Sequence, residues 1–253
     1  MRTTAILNLK GGVAKTVTCV NAAAILAADY GKRVLVVDAD SQANTTEFFG
    51  GAAPGGCTRS DLLHGLDTGT VICSTGTTGV SMIAADDSLM DLDLSSVKSK
   101  SADVRSLRSL LKARRDDFDY VLIDCPPSFN AAAAAALLAA DDVIIPIKLD
   151  AFSLRGMANL TRQIRNMQTI NPQLRIAGLL PTMTYRSDKI REALDILFLS
   201  DFHIYPKIRK TSKVDDMTFA QRPLIESSPH SAACVDYRRF VKAYLAEGGE
   251  RDV

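Results

Sequence analysis

The chain has 253 residues, with 30 lysines and arginines against 29 aspartates and glutamates and a net charge of +1, which excludes a globally basic nucleic-acid binder and an acidic solvating chain. Its length and 47% hydrophobic content suit one large α/β domain spanning 1–253. Cys19, Cys57, Cys73, Cys125 and Cys234 are widely spaced with no C-x-x-C, which excludes a disulfide framework and a zinc site; with no signal pattern and no apolar run near the roughly 20 residues of a membrane span, a cytoplasmic protein is expected.

Taken in order, an apolar run at 4–7 predicts a first strand, and the Ala-rich stretch 17–28 predicts a helix that stops before a capping Gly31. Between them lies Leu9-Lys10-Gly11-Gly12-Val13-Ala14-Lys15-Thr16. Backbone N–H groups of a Gly-rich turn opening a helix are unpaired and partly positive, so they can cradle phosphate oxygens. In that pattern Lys15 reaches the β- and γ-phosphates and the Thr16 hydroxyl ligates Mg²⁺. The match to G-x-x-x-x-G-K-[ST] departs at both glycines, which are Leu9 and Ala14 here. By itself the stretch also reads as a turn that merely connects strand to helix.

The apolar run 34–37 predicts a second strand ending in Asp38, with Asp40 two residues on. On a continuing strand these carboxylates are expected to take different tasks; as a plain strand exit they are ordinary turn aspartates. Residues 50–79 read as loops with a short helix at 60–64, 80–85 as a strand, and 101–115 as a helix with a basic, solvated face. The strand 120–123 then delivers Asp124 ahead of Cys125-Pro126-Pro127, which suits a metal-side carboxylate and equally a strand stopped by prolines. Further on, helices at 130–140, 154–168 and 189–198 alternate with strands at 143–147 and 174–180. Such alternation of helices and continuous apolar strands predicts an α/β fold, a mostly parallel twisted sheet with helices on both faces, and the phosphate-loop pattern at 9–16 makes it of the phosphate-loop NTPase type.

The segment 203–213 holds Lys207, Arg209, Lys210 and Lys213 without an acidic residue. Together with Arg186 and Lys189, and with Arg238, Arg239 and Lys242 on a last helix, it neutralises DNA phosphates if these side chains converge, and is a solvated surface if they do not. His64, His203 and His230 have no metal-ligand spacing, and no Ser/His/Asp arrangement or G-x-S-x-G occurs.

The stretches from Lys10 to Thr16, from Val37 to Gln42 and from Ile123 to Pro127 together resemble the ParA partition ATPases, within the deviant Walker A group that includes MinD. Asp141-Asp142, the stretch from Gly178 to Met183 and Tyr205-Pro206 extend the similarity over nearly the whole chain, in the pattern of the small ParA type without an N-terminal helix-turn-helix. The resemblance implies an ATPase using ATP/ADP and Mg²⁺. Gly11, Gly12, Val13, Ala14, Lys15, Thr16, Val17 and Pro206 would contact nucleotide, and Thr16, Asp38 and Asp124 would hold the metal or its water. Asp40 would orient the attacking water, and Lys10 would reach the nucleotide of a second subunit. It further implies an ATP-bound homodimer that binds non-specific DNA through Arg186, Lys207, Arg209 and Lys210. A ParB-like centromere-binding protein would release it by stimulating hydrolysis, giving a nucleoid-associated location. Two departures stand out: Ala14, strained if its position needs positive φ, and the run Lys213 to Asp216 in place of the family's acidic-Ala-Pro run. Two other readings follow from the same motifs: a MinD-like membrane-positioning ATPase, against which the polar tail 246–253 speaks, and a nucleotide-binding adaptor with little turnover.

Overall fold

A computed structural model describes residues 1–51, 58, 61, 62, 71–87, 89 and 103–249. Its frame is a seven-stranded sheet of β1 (Arg2–Ile6), β2 (Val34–Asp38), β3 (Ile72–Ser74), β4 (Val80–Ile83), β5 (Tyr120–Asp124), β6 (Asp142–Lys148) and β7 (Arg175–Thr182). The strands lie in the order β3-β4-β2-β5-β1-β6-β7, and all pairs are parallel except β3 with β4. Side chains alternate across a strand, so each strand feeds two apolar layers. Leu35, Val37, Val121 and Ile123 face one layer; Val34, Val36, Leu122 and Ile144 face the other.

The first layer is covered by α3 (Ser106–Ala113), α4 (Ala131–Ala139), α5 (Ala151–Gln168) and α6 (Asp188–Phe198). The second is covered by α1 (Lys15–Tyr30), the short α7 (Lys213–Ala220) and α8 (Leu224–Ser227), and α9 (Ala232–Gly249), whose Tyr237, Phe240 and Tyr244 are buried against it. The alternation predicted from sequence is therefore the architecture. Boundaries differ by a few residues, and α1 begins at Lys15 rather than 17. Gly31 ends it in the left-handed conformation at φ 63°, with its N–H on Ala27 and that of Lys32 on Leu26, as a helix-terminating glycine should. The alanine run packs close because α4 buries residues 131–138, and its Asn130 cap accepts from the Ala133 N–H at 3.0 Å.

The predicted helix at 60–64 is seen at Asp61 and Leu62 only; its other residues, His64 among them, lie outside the described residues, as do Cys57 and most of the predicted loops at 50–79. Sequence periodicity missed α2 (Asn44–Phe48), whose polar first turn has no apolar stripe, and the three-residue edge strand β3. Asp40 is also not on a continuing strand: β2 ends at Asp38, and the chain turns so that the Asp40 N–H donates to Asp38 Oδ1 at 3.1 Å. The two residues are thus linked within one turn. Residues 203–210 run beside β7, through backbone bonds such as Tyr205 N to Leu179 O and Lys210 N to Thr184 O. Among the described residues no helix is long and apolar enough to cross a membrane.

Candidate active site

Parallel strands present all their C-terminal ends at one edge, and in open α/β sheets that edge binds ligands where the strand order reverses. Here β1 stands between β5 and β6, and the loop after β1 crosses this edge into α1. Gly12 at φ 68° and Ala14 at φ 67°, ψ 35° both adopt the left-handed conformation. A glycine does so freely; an alanine pays roughly 1–2 kcal/mol for its Cβ. The Ala14 position does require positive φ, and the strain anticipated from sequence is present. Two of the bonds that hold the loop lie at its α1 end: the Ala14 carbonyl accepts the first helical bond from Thr18 at 3.0 Å, and the buried Thr182 hydroxyl at the end of β7 donates to the Val13 carbonyl at 3.0 Å.

Beside the loop, strand register sets two carboxylates next to each other, because Asp38 pairs with Asp124 across β2 and β5. Both are buried. The Thr16 and Thr45 hydroxyls donate to Asp124 Oδ2 at 2.6 and 2.7 Å, and the Thr46 N–H and hydroxyl both donate to Asp38 Oδ2 at 2.8 Å. Burial, reinforced by the charge of Asp124, raises Asp38 to about 7 against the pull of its Thr46 bonds. Burial likewise raises Asp124 to about 6, although the Thr16 and Thr45 hydroxyls and the Lys15 charge oppose it. Lys15 is itself buried and its pKa is lowered by desolvation, countered by Asp124 and Asp40. Its ammonium is 3.3 Å from the Lys10 carbonyl.

This is an environment short of positive charge. Asp124 Oδ1 is buried and has no hydrogen-bond partner among the described residues. Two carboxylates, one of them with a bare oxygen, and a threonine hydroxyl are hard donors that fit Mg²⁺, which typically takes one or two carboxylates and completes its shell with water and substrate phosphate. Among the described residues no group of three or more His, Cys, Asp or Glu could hold a metal ion by itself.

Lys10 stands at the rim. Its N–H is fixed by Asn8 Oδ1 at 2.9 Å, and its ammonium bridges both oxygens of Asp150, just past β6, at 2.8 and 2.7 Å. A cavity flanks the loop on the α1 side, lined by Ala14, Val17, Met183, Ile208, Lys210 and Tyr237 among others. Pro206 is half-buried and is not part of that lining.

The basic residues divide. Arg186 and Lys207 line one groove with Arg191 and Tyr185. Arg209 is committed elsewhere, since its guanidinium clasps buried Asp236 through Nε at 2.7 Å and Nη2 at 2.9 Å. Lys213 pairs with Asp216, and Arg238 with Asp29. Convergence is thus real for Arg186 and Lys207 and does not extend to the whole segment.

A family model described as an AAA domain matches residues 1–176. The chain is 34% identical over 254 residues to the sporulation initiation inhibitor protein Soj of Bacillus subtilis, covering 96% of this chain and 98% of that one. It is 37% identical over 197 residues to the chromosome partitioning protein ParA of Caulobacter vibrioides, covering 76% and 73%. The chain belongs to the ParA family of partition ATPases. A structure of cobyrinic acid a,c-diamide synthase from Mycobacterium smegmatis with bound ADP and magnesium superposes with a TM-score of 0.82 at 29% identity, over 98% of this chain and 96% of that one.

As a ParA-family ATPase, the chain has the site parts that the motifs singled out at one sheet edge: the loop, Lys15, Thr16, Asp38, Asp40 and Asp124. Sequence reasoning missed Thr45, Thr46, Asp150, Thr182 and Asp236. Asp150 carried a readable signal, being another aspartate just past the C-terminal end of an apolar strand, and Thr182 lies in the stretch from Gly178 to Met183 that carries the resemblance.

Proposed function

We propose that this chain is a DNA-segregation ATPase: a Mg-ATP-bound homodimer that holds DNA without sequence preference until a ParB-like partner stimulates hydrolysis and releases it. The observation that carries the reading is the buried, charge-deficient Asp38–Asp124 pair beside Lys15 and Thr16, with Lys10 at the open rim. Phosphoryl transfer asks a protein for positioning and charge neutralisation more than for covalent chemistry.

Loop N–H groups and Lys15 bind the phosphates, and Val17 and the adjoining cavity take the rest of the nucleotide. Asp38, Asp124 and Thr16 hold Mg²⁺, which when bound draws charge from the phosphate oxygens. Asp40, half-exposed in the turn after β2, orients water for attack on the γ-phosphate. Lys10 exchanges its Asp150 partner for the nucleotide of the second subunit, so ATP binding and dimerisation are one event. Arg186 and Lys207 contact DNA phosphates from their shared groove, and exposed Lys210 adds a further contact. Arg209 supports this surface through Asp236 rather than meeting DNA itself. The same properties make it a cytoplasmic, nucleoid-associated protein.

The test is ATP turnover with DNA and partner present. Lys15→Ala abolishes nucleotide binding, and Asp40→Ala binds ATP but stops hydrolysis and stays on DNA. Parental turnover by Asp40→Ala contradicts the assigned role.

A further inference from the structure

Two hydroxyls share one oxygen at the metal-side carboxylate. Asp124 Oδ2 accepts from Thr16, in the first turn of α1, and from Thr45, in the first turn of α2, while Oδ1 stays bare. Thr45 is fully buried, so its hydroxyl has no solvent alternative. Its neighbour Thr46 clasps the other carboxylate with both its N–H and its hydroxyl, and that hydroxyl accepts the Ala85 N–H at 2.9 Å. The start of α2 is thus a clip across the carboxylate pair. Thr46 fixes Asp38, and through the rigid first turn that bond fixes where Thr45 delivers its proton.

We infer that Thr45 is a positioning residue for the metal: its bond to Asp124 Oδ2 locks the carboxylate rotation that leaves Oδ1 free as the donor to Mg²⁺ or its water. The inference rests on the Mg-nucleotide reading of this site. A carboxylate with one oxygen saturated by two fixed hydroxyls has a single productive orientation. With Thr45 removed, Thr16 alone restrains it, and Thr16 is also asked to serve the metal. Partners that orient a metal ligand in this way are typically worth about 10–100-fold in metal affinity. The nucleotide's contacts with the loop and Lys15 do not pass through Thr45, so metal-free nucleotide binding is independent of it.

Calorimetric titration of the full chain with ADP, first in EDTA and then over a series of Mg²⁺ concentrations, separates the two. Thr45→Ala is expected to raise the Mg²⁺ concentration that half-restores tight ADP binding by about 10-fold or more, to leave the EDTA affinity within about twofold, and to be rescued by Thr45→Ser, which keeps the hydroxyl. An unchanged Mg²⁺ midpoint in Thr45→Ala overturns the inference, as does an equal loss of ADP affinity in EDTA. A Thr45→Ser variant that behaves like Thr45→Ala also overturns it, since the hydroxyl is then not what acts. If the parent chain itself shows no Mg²⁺ dependence of ADP binding, the functional reading fails rather than this assignment.

Discussion

Ala14→Gly is expected to stabilise a chain in which almost any other change to a nucleotide loop would do harm. Ala14 sits at φ 67°, ψ 35° as the N-cap of α1, with no side-chain bond to the helix. Releasing a Cβ from the left-handed region returns roughly 1–2 kcal/mol, and glycine is also the better cap, whereas its greater freedom in the unfolded chain costs roughly 0.4–1 kcal/mol. The net is a gain of about 1 kcal/mol, or a rise in Tm of about 2–4 °C for a chain of this size. Ala14→Val supplies the opposite sign, because a β-branched side chain tolerates that backbone least. Thermal and urea unfolding without nucleotide would read both. A neutral or destabilising Ala14→Gly alongside a tolerated Ala14→Val would mean that the loop does not hold positive φ at this position.

The divided basic surface gives two variants different fates. Lys207→Ala should keep its Tm while losing DNA affinity and lowering the salt slope by about 1; Arg209→Ala should lose stability by about 2 kcal/mol, since it removes the guanidinium bonds of the buried Asp236 carboxylate, a cost kept below the 3–5 kcal/mol of a fully buried pair because the arginine side chain is 47% exposed and the backbone N–H of residue 209 still donates to Asp236. Unfolding and DNA-binding measurements on both would check this, and an Arg209→Ala variant of parental stability would return Arg209 to the DNA-binding set. Gly178→Ala places a methyl 2.7 Å from the His203 carbonyl and 2.9 Å from the Tyr205 ring. It should push residues 203–205 off β7 and cost roughly 1–3 kcal/mol in urea unfolding.

Much of the sheet is legible in the sequence because a strand covered on both faces must be a continuous apolar run, and the central parallel strands β2, β5 and β6 are such runs. The site is legible where a residue type is demanded by phosphate or metal chemistry and sits at a helix start, as does Lys15, or at a strand end, as do Asp38 and Asp124. What stays hidden depends on register. Thr45 and Thr46 look like ordinary helix-start threonines until the pairing of Asp38 with Asp124 brings both carboxylates under α2. Arg209 reads as a free cation, because Asp236 lies 27 residues away on a helix whose placement follows from the packing of Tyr237, Phe240 and Tyr244. Likewise α2, with its polar first turn, and the three-residue β3 offer too short a pattern for periodicity to register.

Whether nucleotide gates DNA binding through a dimer is the central question for this protein. Sedimentation of the full chain with a non-specific duplex, in ATP, ADP and no nucleotide at two salt concentrations, measures both at once. Dimers on DNA in ATP alone, weakened steeply by salt and lost in Lys10→Ala although that variant still binds ATP, are the predicted result. Equal DNA binding by monomers in all three nucleotide states, or by Lys10→Ala, would contradict it.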